Sequence, residues 1–236
     1  MIQQQAENAA LANPTIEPGE SVGQIAARIP SSYRVFMKYN IDFCCGGVQP
    51  LAEAAKQAAL PAERLIEEIL EGASSVSEEH VDWREKSSLE IISFIVDHYH
   101  RPLRNALPRL IELGEKVLKA HGEKHGTILT GLNRTVLQLS QELTAHMEKE
   151  EKILFPAILA AGTISLEKPV AVMIAEHQDA GDALDRIRLL TDDFQPPEDA
   201  CNTFRAYWQE LASLEAELMK HIHLENNILF PRVMAA

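Results

Sequence analysis

The chain has 236 residues, 46% of them hydrophobic, which is enough for one large or two small domains with a real core. Acidic residues outnumber basic ones 35 to 22, a formal charge of -13. That excludes DNA and RNA as expected partners, because phosphate binding needs clustered Lys and Arg.

No apolar run approaches the roughly 20 residues that span a bilayer. The opening MIQQQAENAALANPT has neither the basic start nor the apolar centre of a signal peptide. A soluble, cytoplasmic protein with no membrane partner is expected. Three cysteines, two of them adjacent, do not make a disulfide framework.

In chain order, residues 1–18 are polar, Ala-rich and aperiodic, and read as a flexible tail. Ser21 and Gln24 form an S-x-x-Q capping box that opens a short helix ending at Pro30. Ser31 or Ser32 can cap a second helix through Tyr39. The stretch IDFCCGG follows, its glycine pair marking a turn. Further helices are expected from Leu51, and from Pro61 to Leu70. Together these make a small all-helical module over 19–71, with a linker over 72–81.

From residue 82 to 236 the pattern is again helical, in four amphipathic segments near 87–119, 127–160, 168–190 and 198–230. Gly122 and Gly126, Gly162 and Pro169, and Pro196 and Pro197 separate them. No stretch alternates with period 2 long enough for a convincing strand. The fold class is therefore all-α: an up-down-up-down four-helix bundle with a small helical N-terminal domain.

Two segments end alike. HMEKEEKILFP starts at His146 and HIHLENNILFP at His221, and both read H-x-x-x-E-x-x-I-L-F-P. The apolar stripe Leu132, Val136, Leu139, Leu143 continues into His146, Glu150 and Ile153. The stripe Tyr207, Leu211, Leu214, Leu218 continues into His221, Glu225 and Ile228. Each helix thus aims an imidazole and a carboxylate inward, one turn apart. Val96, His100, Leu103, Leu107 and Leu110 place His100 inward on the first helix. Val170, Ile174, His177, Gly181 and Leu184 do the same for His177. The intervals from His100 to His146 and from His177 to His221 are 46 and 44 residues, as two matched helical hairpins would give.

An unpaired buried polar group costs on the order of 1–3 kcal/mol, and a bare charge far more. Two divalent ions remove that cost, with both carboxylates bridging and two histidines on each ion. Mixed nitrogen and oxygen donors with open positions suit iron. A single H-x-x-x-E is a weak signal, and a lone inward histidine is commonly a core residue; here both pairs and both single histidines share one depth.

The pattern H…H-x-x-x-E…H…H-x-x-x-E on four helices resembles the hemerythrin-like di-iron domain. With IDFCCGG in a short helical module before it, the chain is similar over 19–236 to the RIC (repair of iron centres) family. The resemblance implies that His100, His146, His177 and His221 are ligands and that Glu150 and Glu225 bridge two iron ions in an oxo- or hydroxo-bridged centre. It also implies repair of iron–sulfur clusters damaged by nitrosative and oxidative stress, with damaged iron–sulfur proteins as partners. Iron would be supplied to the cluster, or nitric oxide handled at the centre. That role fits a repair or iron-donor protein better than a conventional turnover enzyme. The rivals are a hemerythrin-type sensor or carrier of oxygen or nitric oxide, and a nitric oxide reductase or peroxidase. Ferritin-like storage fits worst, since its ligand helices carry Glu-x-x-His. A homodimer is possible.

His98 competes with His100: the two lie about 200° apart on a helix. The stripe favours His100, but Pro102 can kink the helix and re-aim either one. Cys44 and Cys45 read either as a buried small residue beside an accidental neighbour, or as an exposed thiol pair for redox change or transfer. Glu142, one turn before His146, reads as a solvated charge or as a relay above the site. Glu176 reads as a solvated charge. Glu151, His80, His121, His125 and His223 read as surface residues, and Cys201 as a packing residue.

Overall fold

The computed structural model describes residues 15–75, 81–160 and 165–235. The chain divides into two compact units, Met1–Asp82 and Trp83–Ala236. Most of the expected tail and linker, with His80 and Gly162, lies outside the described residues. Among those residues the only β pairing is an isolated bridge between Ser21 and Pro50.

The first unit holds four helices: α1 (Val22–Arg28), α2 (Ser32–Lys38), α3 (Leu51–Gln57) and α4 (Ala62–Ser75). The Ser21–Gln24 capping box is present in both directions. Ser31 stands at the N-cap of α2 but makes no capping bond through its side chain. Helix α4 continues past Leu70 through Ser75, so the residues at 72–75, expected as linker, are helical. Val22, Ile25, Phe36, Phe43, Leu51, Leu65 and Ile69 make the core of this unit.

The second unit is the four-helix bundle. Its first arm is α5 (Ser88–Phe94), then a π-helical segment π1 (Ile95–His100), then α6 (Arg101–Lys149). The second arm continues through π2 (Glu150–Leu154) and α7 (Phe155–Leu159). The third is α8 (Glu167–Leu190). The fourth is α9 (Asn202–Leu224), π3 (Glu225–Leu229) and α10 (Phe230–Met234).

Helix α6 runs through 49 residues and includes Gly122 and Gly126, where the sequence suggested a break. A straight helix of that length would span about 73 Å. Instead the Cβ position of Gly114 lies against Asn133, and Arg104 Nη2 bonds Glu151 Oε1 at 2.9 Å. The chain therefore doubles back between Gly114 and Asn133, around the two expected glycines, so that α6 comprises two antiparallel arms.

The three π segments have a common cause. Pro102, Pro156 and Pro231 lack an N–H, and their rings would clash with the carbonyl four residues back. In each case the preceding N–H bonds five residues back instead: Arg101 to Val96, Phe155 to Glu150, Phe230 to Glu225. Widened turns of this kind are frequent at functional sites. Here two of them begin at Glu150 and Glu225, and the third ends at His100. Pro102 thus re-spaces the helix and leaves His100 facing inward. His98 is exposed and stacks on Phe94 at 3.9 Å.

Two positions of the expected stripes face outward. Ile153 is 64% exposed although its counterpart Ile228 is buried, and Ile174 is 45% exposed. On α8 the buried row is Val170, Met173, His177, Ala180, Leu184, Ile187. From Val170 it reaches His177 by a step of three and then four, where the sequence reading stepped by four and then three. Either step reaches His177, so the histidine was placed correctly by an imprecise stripe.

At Gly114 the first and second arms are in close contact. A Cβ there would meet Asn133 Oδ1 at 2.5 Å and the Tyr207 hydroxyl at 2.8 Å. The Tyr207 hydroxyl also donates to Asn133 Oδ1 at 3.1 Å. Gly114→Ala is expected to cost about 1–2 kcal/mol by overpacking and by disturbing that bond. In urea unfolding, Gly114→Ala combined with Asn133→Ala should cost less than the sum of the two single changes.

Candidate metal centre

At the end of the bundle remote from the Gly114–Asn133 reversal, the stripes change from leucine to histidine and glutamate. His100, His146, Glu150, His177, His221 and Glu225 are all buried, at 0 to 3% exposure. Their donor atoms form two groups. His100 and His221 share one with Glu150 and Glu225; His146 and His177 share the other with the same two carboxylates. Within each group the donors lie within 4.8 Å of one another.

The contacts inside the cage are close. His100 Nε2 lies 3.1 Å from His221 Nε2, and His177 Nε2 lies 3.0 Å from His146 Nε2. Glu150 Oε2 is 3.3 Å from Nε2 of both His100 and His146. Glu225 Oε2 is 3.1 Å from His177 Nε2, and its Oε1 is 3.2 Å from His221 Nε2. Despite this proximity, neither oxygen of Glu150 has a hydrogen bond of acceptable geometry, nor does Oε2 of Glu225. Fully buried carboxylates without aligned donors cost several kcal/mol each unless a cation compensates them. Convergent imidazole nitrogens around such carboxylates fit a divalent metal such as iron or zinc.

Without metal the cage manages its charge with protons. Burial alone would lower the His146 pKa, but Glu150, with Glu225 and Glu176, pushes it up to about 9. His100 is raised in the same way, against its own burial, by Glu150, Glu225 and Glu151. Burial opposes ionisation of Glu225, yet His221 and His177 hold its carboxyl well below the usual range.

Around the cage stand Glu151 and Glu176, which the sequence reading placed on the surface, and Asn226, which it did not single out. Glu151 Oε1 accepts from His100 Nδ1 at 2.8 Å, and Glu176 Oε2 from His146 Nδ1 at 2.9 Å. Asn226 Oδ1 accepts from His177 Nδ1 at 2.8 Å. Such partners fix the tautomer and turn the Nε2 lone pair toward the metal position. Arg104 holds Glu151, and Lys149 holds Glu176. Burial opposes them, but these cations and the histidines keep both carboxyls below their ordinary range. Position could have given these away: Glu151 and Asn226 each follow a motif glutamate, and Glu176 precedes His177. Phe155 and Phe230, from the two ILFP segments, stack on His100 and His177 at 5.9 Å each.

Other expectations fare unevenly. Glu142 is exposed and accepts from Gln138, as a solvated charge does. His223 is fully buried, not at the surface, because the whole turn His221–Glu225 is covered on every side. His121 and His125 are half-buried against Phe204.

In the first unit, Cys44 and Cys45 sit on a turn built by Asp42. Its Oδ1 accepts from the Cys44 and Cys45 amides at 3.0 and 2.9 Å, and its Oδ2 from the Gly46 amide at 2.7 Å. The sulfurs are 3.7 Å apart, in the thiol form. Cys44 is buried, contrary to an exposed pair, while Cys45 is half-buried. Contact with Cys45, then burial and Asp42, pushes the Cys44 thiol well up. Asp42, Cys44 and Cys45 together could hold a soft metal ion.

Comparison with known proteins agrees with this geometry. Residues 92–233 match the Hemerythrin HHE cation binding domain, and residues 18–73 match a domain described as of unknown function (DUF542). The iron-sulfur cluster repair protein YtfE of Edwardsiella ictaluri is 42% identical over 213 residues, covering 90% of this chain and 96% of that one. Proteins of the same name from Yersinia pestis (strain Pestoides F) and Dickeya chrysanthemi are 41% identical over 215 residues, covering 91% and 96%.

Cys201, expected as a packing residue at a helix start, is exposed at the N-cap of α9. Amides of the helix start, led by Phe204, and His121 Nε2 at 3.2 Å bring its thiol down to about 7. At pH 7, iodoacetamide should therefore modify Cys201 well before Cys44, and its rate should fall as pH drops below 7. Peptide mass mapping over a time course checks the order; first labelling at Cys44 would contradict the burial and thiolate assignments.

Proposed function

Because this chain belongs to the hemerythrin-domain family of iron–sulfur cluster repair proteins, we propose that it restores damaged iron–sulfur clusters by supplying iron from a dinuclear centre in its helical bundle. The observation that carries this reading is the pair of four-donor groups sharing both buried carboxylates. Four imidazoles and two carboxylates are more donors than one ion uses and suit two. With iron bound there, the centre offers a store of ions in nitrogen and oxygen ligands that softer thiolate acceptors can take over.

The chain's own residues do the rest. Glu151, Glu176 and Asn226 keep three imidazoles in the Nδ1–H tautomer, so that Nε2 is the free donor. Glu150 and Glu225 place two carboxylates at the centre of a buried cage, where they attract cations strongly. The π segments set the glutamates at the required depth. The thiols on the Asp42 turn act in docking or transfer toward the client protein, which presents a damaged cluster of the kind produced by nitrosative or oxidative stress.

A second reading, binding of a small gas such as nitric oxide or oxygen, has one observation in its favour. A largely apolar cavity of about 250 Å³ borders His221, lined also by Tyr99, Leu103, Leu214 and Leu218. It predicts a reversible adduct that does not depend on Cys44 or Cys45.

Elemental analysis of protein from iron-replete cells should find two iron ions per chain. Glu150→Leu with Glu225→Leu should abolish that content while circular dichroism stays helical; retained iron would defeat the ligand assignment. Cys44→Ala with Cys45→Ala should keep the iron and lose repair of a damaged cluster in a reconstituted assay. Full repair by that variant would remove the cysteines from the mechanism.

A further inference from the structure

The two hairpins repeat each other. His146 and His221, Glu150 and Glu225, and Phe155 and Phe230 are each 75 residues apart, and His100 and His177 are 77 apart. The counterparts occupy matching places: the paired imidazole rings are 4.8 and 4.7 Å apart, and each of His100 and His177 stacks on its phenylalanine. Asn226 stands in for Glu151 and still accepts, but at one position the repetition supplies no acceptor. The residue before His177 is Glu176, and the residue before His100 is Tyr99.

Each of these reaches across to the other hairpin. Glu176 takes the Nδ1–H of His146. Tyr99 instead lies flat on the ring of His221, at 5.3 Å and 11° from parallel. His221 is 1% exposed, and no protein atom among the described residues accepts from its Nδ1. So His100, His146 and His177 are anchored through their outer nitrogens, whereas on its outer side His221 is held by stacking alone. The cavity described above borders this same ring.

We infer that the two metal positions are unequal by construction, and that iron leaves from the one between His100 and His221. This rests on the dinuclear reading above. A ligand histidine gains orientation and basicity from the acceptor on its far nitrogen, and losing that acceptor typically weakens metal binding about 10- to 100-fold. The ion between His146 and His177 has both histidines anchored; its neighbour has one. Tyr99 therefore makes one position an exchangeable site and leaves the other as a retained one.

The test is iron release from the full chain, loaded and reduced under anaerobic conditions, to a chromogenic ferrous chelator. Two phases of equal amplitude are expected, about 10- to 100-fold apart in rate. Tyr99→Glu copies the Glu176 arrangement onto His221 and should slow the fast phase toward the slow one. Glu176→Leu removes the anchor from His146 and should speed the slow phase toward the fast one, so the inference does not hang on one variant folding. Circular dichroism and iron content check both proteins. Two ions leaving in a single phase, or two phases that neither substitution moves, would overturn the inference and leave the dinuclear reading intact. One iron or none per chain in the unmodified protein would overturn that reading and this inference with it.

Discussion

Two carboxylates at zero exposure, Glu150 and Glu225, set the terms for the upper half of the bundle. Each sits among imidazole nitrogens at 3.1 to 3.3 Å, and three of their four oxygens lack an aligned donor. A charge in that setting is stable only with cations close by. Protons on the histidines can take that part: Glu150, with Glu225 and Glu176, pushes His146 up to about 9, and His221 and His177 hold the Glu225 carboxyl well below the usual range. Metal ions would take the same part more effectively, with higher charge and two shared carboxylates.

Much of the surrounding structure serves to hold that arrangement. Leucine and aromatic layers from Leu107 to Leu218 bring four arms to one spacing. Prolines at 102, 156 and 231 force widened turns next to the ligands. Partners on the outer nitrogens lock three of the four rings. The ILFP that follows each H-x-x-x-E is thus part of the site. Its phenylalanine stacks on a histidine of the same hairpin, and its proline creates the turn on which the glutamate stands.

The near-symmetry of the two hairpins also shows where they have diverged. Asn226 replaces Glu151, and Tyr99 replaces Glu176, in otherwise matching roles. One half of the cage is therefore bound by charged acceptors and the other by a neutral amide and a stacked ring. In the first unit a single carboxylate, Asp42, does comparable work with less burial, gathering three backbone amides so that two adjacent thiols meet on one turn.

What the sequence determined alone was the periodic part. Helices, the bundle, and the inward placement of the six donors follow from apolar residues recurring at three and four, because residues so spaced share a helix face. The choice of His100 over His98 also lay in that stripe. What only the tertiary structure decided was anything set by neighbours from another arm. Glu151, Glu176 and Asn226 sit at the edge of the apolar face, where periodicity cannot tell a solvated side chain from one that reaches across to a ring. His223 is buried because its whole turn is covered, and Cys201 is exposed because it caps a helix at the bundle's end. Cys44 is buried because the Asp42 turn folds it inward. The reversal inside α6 lies around Gly122 and Gly126, where the sequence already placed a break; which side chains meet across it, such as Asn133 and Tyr207 at Gly114, was decided by the packing of the arms.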